Sequence, residues 1–392
     1  MPQNNNQLEP NKIRIAIAHH LLIEKCKGGG EKLMLQLREY LNASFYTGSI
    51  DLEAWDPKLL QDSFTCYLNG SDWDYLATES HLPVWKYIKR QLAFAFSPKV
   101  KELANHDVVI FSFGNIAFLP QRVKRINPKV RTIAFVHTPP RNFTDQYSRI
   151  MTSLPFYKKP LFWFFTKLVL LSFNNALKNC DHIITNSENI KGRLQKYCKI
   201  EANSVIFPLV DTNNFKSGIS QDFYLSHARL EPLKRIDLVV KAFEQMPDKK
   251  LIITSGGPLA KWVTDYIEDK KIKNIIFKGR VSDQERDALM SSCIAGIYIP
   301  VDEDAGITQL EFMACGKPIF GVKDGGLIES IIDGKTGILM SKDITLEEII
   351  RTVKNYNKEQ LVAMQSDCLA QAKQFDKSVF FEKFDKVIRK LL

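Results

Sequence analysis

Short runs rich in β-branched and aromatic residues alternate with longer helix-like stretches along the whole 392-residue chain, the pattern of parallel sheets built from β-α-β units. In the first half the strand candidates are 13–18, 43–46, 108–113, 132–136, 182–185 and 204–207; in the second they are 223–226, 250–254, 274–277, 296–299, 318–321 and 337–340. An α/β fold with two sheets of comparable size is expected. Between the two sets lies 208–221 (PLVDTNNFKSGISQ), rich in Pro, Asn, Ser and Gly and without periodicity, which reads as a linker. The expected organisation is a tail over 1–12, Rossmann-like domains over 13–210 and 211–376, and a last helix over 377–392 able to pack on either domain. Ligands of open parallel sheets bind beyond the carboxyl ends of the strands, so two such sheets facing each other imply a shared central cleft.

Composition narrows the function classes. The apolar share of 45% suffices for ordinary cores, and Lys plus Arg exceed Asp plus Glu by 54 − 44 = 10. The excess suits an anionic surface, yet no DNA- or RNA-reading motif accompanies it, so nucleic acid is not an expected partner. Seven scattered cysteines with no Cys-x-x-Cys argue against a disulfide framework or a zinc knuckle. The polar start MPQNNNQLEPNK lacks the features of a secretory signal, and a cytoplasmic location is expected. The longest apolar run, 160–173 (PLFWFFTKLVLLSF), contains Lys167 and falls short of a bilayer span. Two readings stay open for it: a helix buried in a core between domains, or a helix on an anionic membrane surface, with basic residues of 158–178 near lipid headgroups.

The chemistry concentrates in 300–337, PVDEDAGITQLEFMACGKPIFGVKDGGLIESIIDGKTG. Glu303 and Glu311 stand with seven residues between them, after a strand candidate and before Gly325-Gly326. Gly306 is expected to open a helix whose free N–H groups, at Ile307 and Thr308, suit an anionic phosphate. Two carboxylates so spaced can accept hydrogen bonds from two hydroxyl-bearing groups of one ligand, one on each side of that phosphate. A nucleotide sugar fits this description.

The Glu-x7-Glu segment with its glycines resembles the donor site of the retaining GT-B glycosyltransferases of family GT4. The segment 224–243 (YLSHARLEPLKRIDLVVKAF) is similar to the family's strand, loop and helix carrying an Arg and a Lys five residues apart, here Arg229 and Lys234. Ser255-Gly256-Gly257-Pro258 stands at the family's glycine turn, and 277–281 (FKGRV), ending at Val281, where backbone near the nucleobase is usual. Gly28-Gly29-Gly30-Glu31 resembles the glycine loop after the first strand, and His137-Thr138-Pro139-Pro140-Arg141 a segment of a mannosyltransferase-like branch. The likeness runs from about residue 13 to 345.

The resemblance implies roles. Arg229 and Lys234 neutralise the donor diphosphate, Glu311 accepts hydrogen bonds from the ribose, Glu303 binds hydroxyls of the transferred sugar, and His137 contacts that sugar near the reacting carbon. The run Gly28, Gly29, Gly30 lets backbone approach the diphosphate. The implied reaction is retaining transfer of a hexose, GDP-mannose being the first expectation with UDP-linked and other GDP-linked sugars open, to a glycan or a lipid-linked acceptor. No cofactor or metal is expected, because Arg229 and Lys234 supply the positive charge. An epimerase of the same architecture and a non-catalytic sugar-nucleotide-binding subunit are the rival readings. Gly334-Lys335-Thr336 mimics a Walker loop but lacks its first glycine, Glu329 standing there, and reads as a turn. Asp72-Trp73-Asp74 and Asp302-Glu303-Asp304 mimic cation sites. His19, His20, His81, His106, His182 and His227 are read as structural.

Overall fold

The computed structural model describes residues 13–20, 22, 28–48, 50, 64–66, 92, 96–113 and 118–392. The chain divides into two compact units, one of Met1–Ile206 with Phe381–Leu392 and one of Phe207–Phe380.

The first unit is built on β1 (Ile15–His19), β2 (Ser44–Thr47), β3 (Phe64–Cys66), β4 (Val108–Phe113), β5 (Arg131–Val136), β6 (His182–Thr185) and β7 (Ser204–Val205). Their order is β3-β2-β1-β4-β5-β6-β7, with every pair parallel. β1 is buried at all five positions, as a strand covered on both faces must be. The sequence reading omitted β3, which at three residues is too short to show any period. Strand candidate 204–207 ends at Val205, and Phe207 instead packs edge-on to Phe375 of the second unit, 4.9 Å between ring centroids.

The second unit carries β8 (Tyr224–His227), β9 (Leu251–Thr254), β10 (Ile275–Gly279), β11 (Ala295–Ile297), β12 (Ile319–Val322) and β13 (Gly337–Met340). These run β10-β9-β8-β11-β12-β13, again all parallel. The order reverses between β8 and β11, so the loops leaving these two neighbours part toward opposite faces and open a crevice at their carboxyl ends. Segment 208–221 is built into this unit. Leu209 and Val210 are buried, Val210 bridges Asp376, and the buried Lys317 ammonium donates to Gly218 O and Ser220 Oγ, both at 2.8 Å.

The last helix, Lys377–Leu391, begins in the second unit, where Lys377 pairs with Asp211 at 2.7 Å. From Phe381 on it belongs to the first: Phe381 stacks on Tyr40, the Tyr40 hydroxyl donates to Asp385 at 2.8 Å, and Phe384 lies edge-on to Phe135. The 160–173 run lies in the longer helix Lys159–Lys178. Thr166, Val169, Phe173, Ala176 and Leu177 are its buried stripe, while Leu161, Trp163, Phe164, Leu168 and Leu171 are exposed, so it is not buried all round. No helix among the described residues is long and apolar enough to cross a membrane.

Two glycines fix the loop after β11. A Cβ on Gly325, whose φ is 58°, falls 2.4 Å from Glu303 O and 2.5 Å from Glu303 N, and one on Gly326 falls 2.5 Å from Ala305 Cα. Gly326 N donates to Glu303 O at 2.8 Å. Backbone is here packed against backbone, which only hydrogen at Cα allows. Gly334 gives the control, since its φ is 77° but a Cβ there meets nothing within 4 Å. Gly334→Ala is expected to lose only the left-handed penalty of about 1–2 kcal/mol, and Gly325→Ala clearly more, read as urea midpoints. Equal losses would mean that the close approach does not matter.

Candidate active site

In the second unit the predicted donor residues lie on loops at the carboxyl ends of neighbouring strands. Arg229 and Lys234 follow β8, Gly256 follows β9, Val281 follows β10, and Glu303 and Gly306 follow β11. Lys234, from one side of the strand-order reversal, forms an ion pair with Glu303, from the other, and donates to the Tyr298 hydroxyl at 2.9 Å. Both charged side chains are about one-fifth exposed, at 20% and 18%. Burial raises the Tyr298 phenol well above its ordinary pKa, and the Glu303 carboxylate, with which it hydrogen-bonds, adds to the rise. Tyr298 therefore stays protonated and orients both partners. It was missed in the sequence, where it reads as one more apolar residue of candidate 296–299.

Arg235, also missed, adopts a left-handed φ of 53° and turns its guanidinium onto backbone carbonyls: Ile299 O at 2.7 Å, Pro300 O at 2.9 Å and Lys342 O at 3.1 Å. With Val301 N donating to Leu233 O at 2.8 Å, it ties the loop after β8 to the loop after β11 and so sets Lys234 against Glu303. Arg229 behaves differently. Its side chain is 51% exposed and pairs with Glu231 at 3.1 Å.

The predicted helix start shifts by two residues. The helix is Thr308–Ala314, with Ile307 as N-cap and no side chain capping it, and Glu311 lies in its first turn rather than deeper inside. Gly306 precedes it at φ 77°, where a Cβ would fall 2.4 Å from Gln309 Oε1. Burial works against the charge on Arg286, but Glu311, Asp287 and Asp283 together raise its pKa. Arg286 also binds Asp283 and Asp287, at 2.9 and 2.7 Å. His227, read as structural, accepts or donates at Nδ1 with Thr254 Oγ1 at 2.8 Å, and burial, aided by Arg286, pushes its imidazole down to about 4. Gly256 lets Arg280 lie across it, since a Cβ there comes 3.0 Å from Arg280 Nε.

In the first unit, Gly28–Gly30 is not an extended loop. Gly28 is the N-cap and Gly29 and Gly30 the first residues of helix Gly29–Leu41, and a Cβ on Gly30 would meet nothing within 4 Å. His137 directly follows β5, with Nε2 3.0 Å from Ser112 Oγ on β4; that hydroxyl is 2.8 Å from Nδ1 of His19 on β1. Three adjacent strands thus end in one hydrogen-bonded row, and His19 Nε2 reaches Glu31 at 3.8 Å. Burial pushes His137 down to about 4, so its ring is neutral near pH 7. Neither Ser112 nor His19 was foreseen: each is an ordinary strand residue until the register sets them side by side. Among the described residues, His19, His20 and Glu31 form the one group whose ligand atoms all lie within 4.8 Å of one another and could hold a metal ion, a possibility absent from the sequence reading. Gly334–Thr336 forms a turn, with Gly334 N donating to Gly337 O at 2.8 Å. Asp72–Asp74 lies outside the described residues.

Comparison with known proteins bears on both units. Residues 27–214 match the family "Glycosyltransferase Family 4" and residues 210–375 "Glycosyl transferases group 1". The uncharacterized glycosyltransferase MJ1178 of Methanocaldococcus jannaschii is 27% identical over 219 residues, 56% of this chain and 61% of that protein. The mouse alpha-1,3/1,6-mannosyltransferase ALG2 is 24% identical over 245 residues, 54% of this chain and 56% of that protein. The chain thus spans between half and two-thirds of the length of these curated relatives. Among solved structures, Anabaena Alr3699/HepE in complex with UDP-glucose superposes with a TM-score of 0.73 over 97% of this chain and 100% of that one, at 16% identity. A sucrose-phosphate synthase from Thermosynechococcus elongatus gives a TM-score of 0.75 at 14% identity, over 96% of this chain and 99% of that one. With two adjoining family matches running from residue 27 to 375 and a fold shared along nearly its whole length with glycosyltransferases, the chain belongs to the GT4 glycosyltransferases of GT-B fold.

Proposed function

We propose that the protein is a retaining, metal-independent hexosyltransferase that uses a nucleoside-diphosphate sugar, GDP-mannose first, and delivers the sugar to a glycan or a lipid-linked acceptor. The observation that carries this reading is the meeting of Lys234 and Glu303 across the strand-order reversal, where open α/β sheets bind their ligands. The mannosyltransferase names among the relatives support the choice of sugar.

Arg229 and Lys234 bind the diphosphate, and Glu311 the ribose. The helix start at Ile307 and Thr308, which no side chain caps, precedes Glu311 and offers its N–H groups to the phosphates, and the backbone at Gly256 and Val281 faces the nucleoside. Glu303 takes hydroxyls of the transferred sugar; for the first unit by itself, His137 is a sugar contact and Gly28–Gly30 lets backbone approach phosphate oxygens. In the reaction the acceptor oxygen bonds to the anomeric carbon on the face from which the diphosphate departs. The bond from that carbon to the β-phosphate oxygen breaks, and that oxygen takes the acceptor proton. Charge grows on the leaving phosphate, and fixed cations lower the barrier because they need not reorganise. Lys234, already oriented by Tyr298 and Glu303, is such a cation.

Arg229→Ala and Lys234→Ala are each expected to lower kcat/KM for sugar transfer by about a hundredfold or more, the scale seen when one charge-stabilising donor is removed. Arg229 gives the cleaner test. Its exposed ion pair contributes about 0–1 kcal/mol, so the variant should unfold at nearly the wild-type urea concentration. Unchanged transfer kinetics in both variants would refute the assignment.

Activity is expected to survive EDTA, and complete loss restored by Mn²⁺ would contradict the mechanism.

The His137 pKa makes a third prediction. With a folded value of about 4 against an ordinary 6.5, the unfolded chain binds more protons between those limits. Stability therefore falls as pH drops through that window. The wild-type urea midpoint should decrease from pH 7 to pH 5, and His137→Gln should decrease less; parallel curves would show that His137 is not held neutral.

A further inference from the structure

The helix Lys159–Lys178 and the turn before it present an apolar face that nothing in the first unit covers. Phe156 is 84% exposed, Leu171 68% and Tyr157 64%, with Leu161, Trp163, Phe164 and Leu168 also open. Residues 161, 164, 168 and 171 recur at three- and four-residue intervals, so they form one stripe about 15 Å long at 1.5 Å per residue. The opposite stripe, Thr166, Val169, Phe173, Ala176 and Leu177, is buried in the unit. Phe162 is stacked on Phe143 and Tyr147, which fixes the helix and leaves the outer stripe in view.

Charge identifies the occupant. From residue 146 to 180 there is no Asp or Glu, and there are five cations, Arg149, Lys158, Lys159, Lys167 and Lys178. Arg149, Lys158, Lys167 and Lys178 are exposed. The Lys158 ammonium stands 5.8 Å from the Tyr157 ring centroid, and Lys167 5.8 Å from that of Trp163. Cations beside exposed Trp and Tyr rings, flanking an aliphatic stripe, match the layering of a lipid surface: anionic headgroups outside, acyl chains within. A protein partner of the same apolar complementarity would have to bring acidic groups to cations spread from Arg149 to Lys178, whereas an anionic bilayer supplies them as a continuous sheet.

We infer that this face docks on an anionic bilayer, the helix lying in the membrane plane with Leu161, Phe164, Leu168 and Leu171 among the upper acyl carbons and the lysines at the phosphates. The inference goes beyond sugar transfer and does not require it, since docking is read without donor or acceptor.

The test is co-sedimentation of the full chain with vesicles of phosphatidylcholine alone and with about one-third phosphatidylglycerol. Binding is expected to the anionic vesicles and to weaken strongly at 1 M salt, where the Debye length falls to about 3 Å. Phe164→Ser with Leu171→Ser should lower the partition coefficient about tenfold or more, and Lys158→Gln with Lys167→Gln should weaken binding mainly at low salt. Both pairs are exposed, so their urea midpoints should stay near wild type. No binding to anionic vesicles overturns the inference. So does binding that the Phe164/Leu171 variant retains, or self-association by analytical ultracentrifugation, abolished in that variant, in place of vesicle binding. Loss of transfer with vesicle binding intact would strike the functional reading and leave this one standing.

Discussion

A guanidinium on three carbonyl oxygens holds Lys234 and Glu303 of the second unit in place. Arg235 donates to Ile299, Pro300 and Lys342, and so fixes where the chain goes after β11 relative to the chain after β8. Hydrogen bonds with one charged partner are stronger than neutral ones, and a planar fork loses little freedom in making them. Burial lowers the Arg235 pKa, yet arginine remains charged at any pH the fold survives. From the other side the same loop rests on Gly325 and Gly326, whose missing side chains let backbone meet backbone. The Lys234–Glu303 pair is the consequence of this clamp rather than its cause. Two flexible side chains in solvent would not hold one geometry, but two that leave a pinned backbone do.

The two cations of the site differ in what they cost when no ligand is bound. Arg229 is half exposed, and its pairing with Glu231 is of the kind that adds little to stability. Lys234 is largely enclosed and meets both a carboxylate and a phenol whose own proton is held firmly by burial. An ammonium in such a setting is already desolvated and oriented, so under the proposed function a diphosphate would exchange one anionic partner for another instead of stripping water from a free amine. Under the proposed function, the enclosed cation would stabilise charge on the leaving group and the exposed one would capture the ligand.

What the sequence made legible was spacing along the chain, and what it hid was spacing across it. Strand periodicity located all the strands of the second sheet and all but β3 of the first, and the interval from Glu303 to Glu311, with Arg229 and Lys234 upstream, singled out the loops at the crevice. Tyr298 stayed hidden because only the end of β11 separates a core tyrosine from one that reaches Lys234. Arg235 stayed hidden because its part depends on a positive φ, which no side chain announces in a residue other than glycine. His19 and Ser112 lie 93 positions apart and touch only because β1 and β4 are neighbours in register. The glycine run at 28–30 misled in a different way: glycine suggests a loop, yet an extended Gly28 is a good N-cap, and the helix starts inside the run.

The aromatic run at 160–173 shows why hydropathy alone could not choose between its two readings. Summed along the chain, a helix that is apolar all round looks the same whether protein or lipid covers it, because both are hydrocarbon. The difference lies in how the residues are dealt between the faces. The inner stripe carries the smaller Thr166, Val169 and Ala176 beside Phe173 and Leu177, a mixture that allows the helix to sit close on its unit. Of the helix's ten Leu, Phe and Trp side chains five, Leu161, Trp163, Phe164, Leu168 and Leu171, are exposed. A helix that only fills a core would bury these too, since covering a large side chain removes more apolar surface from water. With a flank of cations and no acid beside it, the outer face is apolar and basic, the pattern on which the proposed bilayer contact rests.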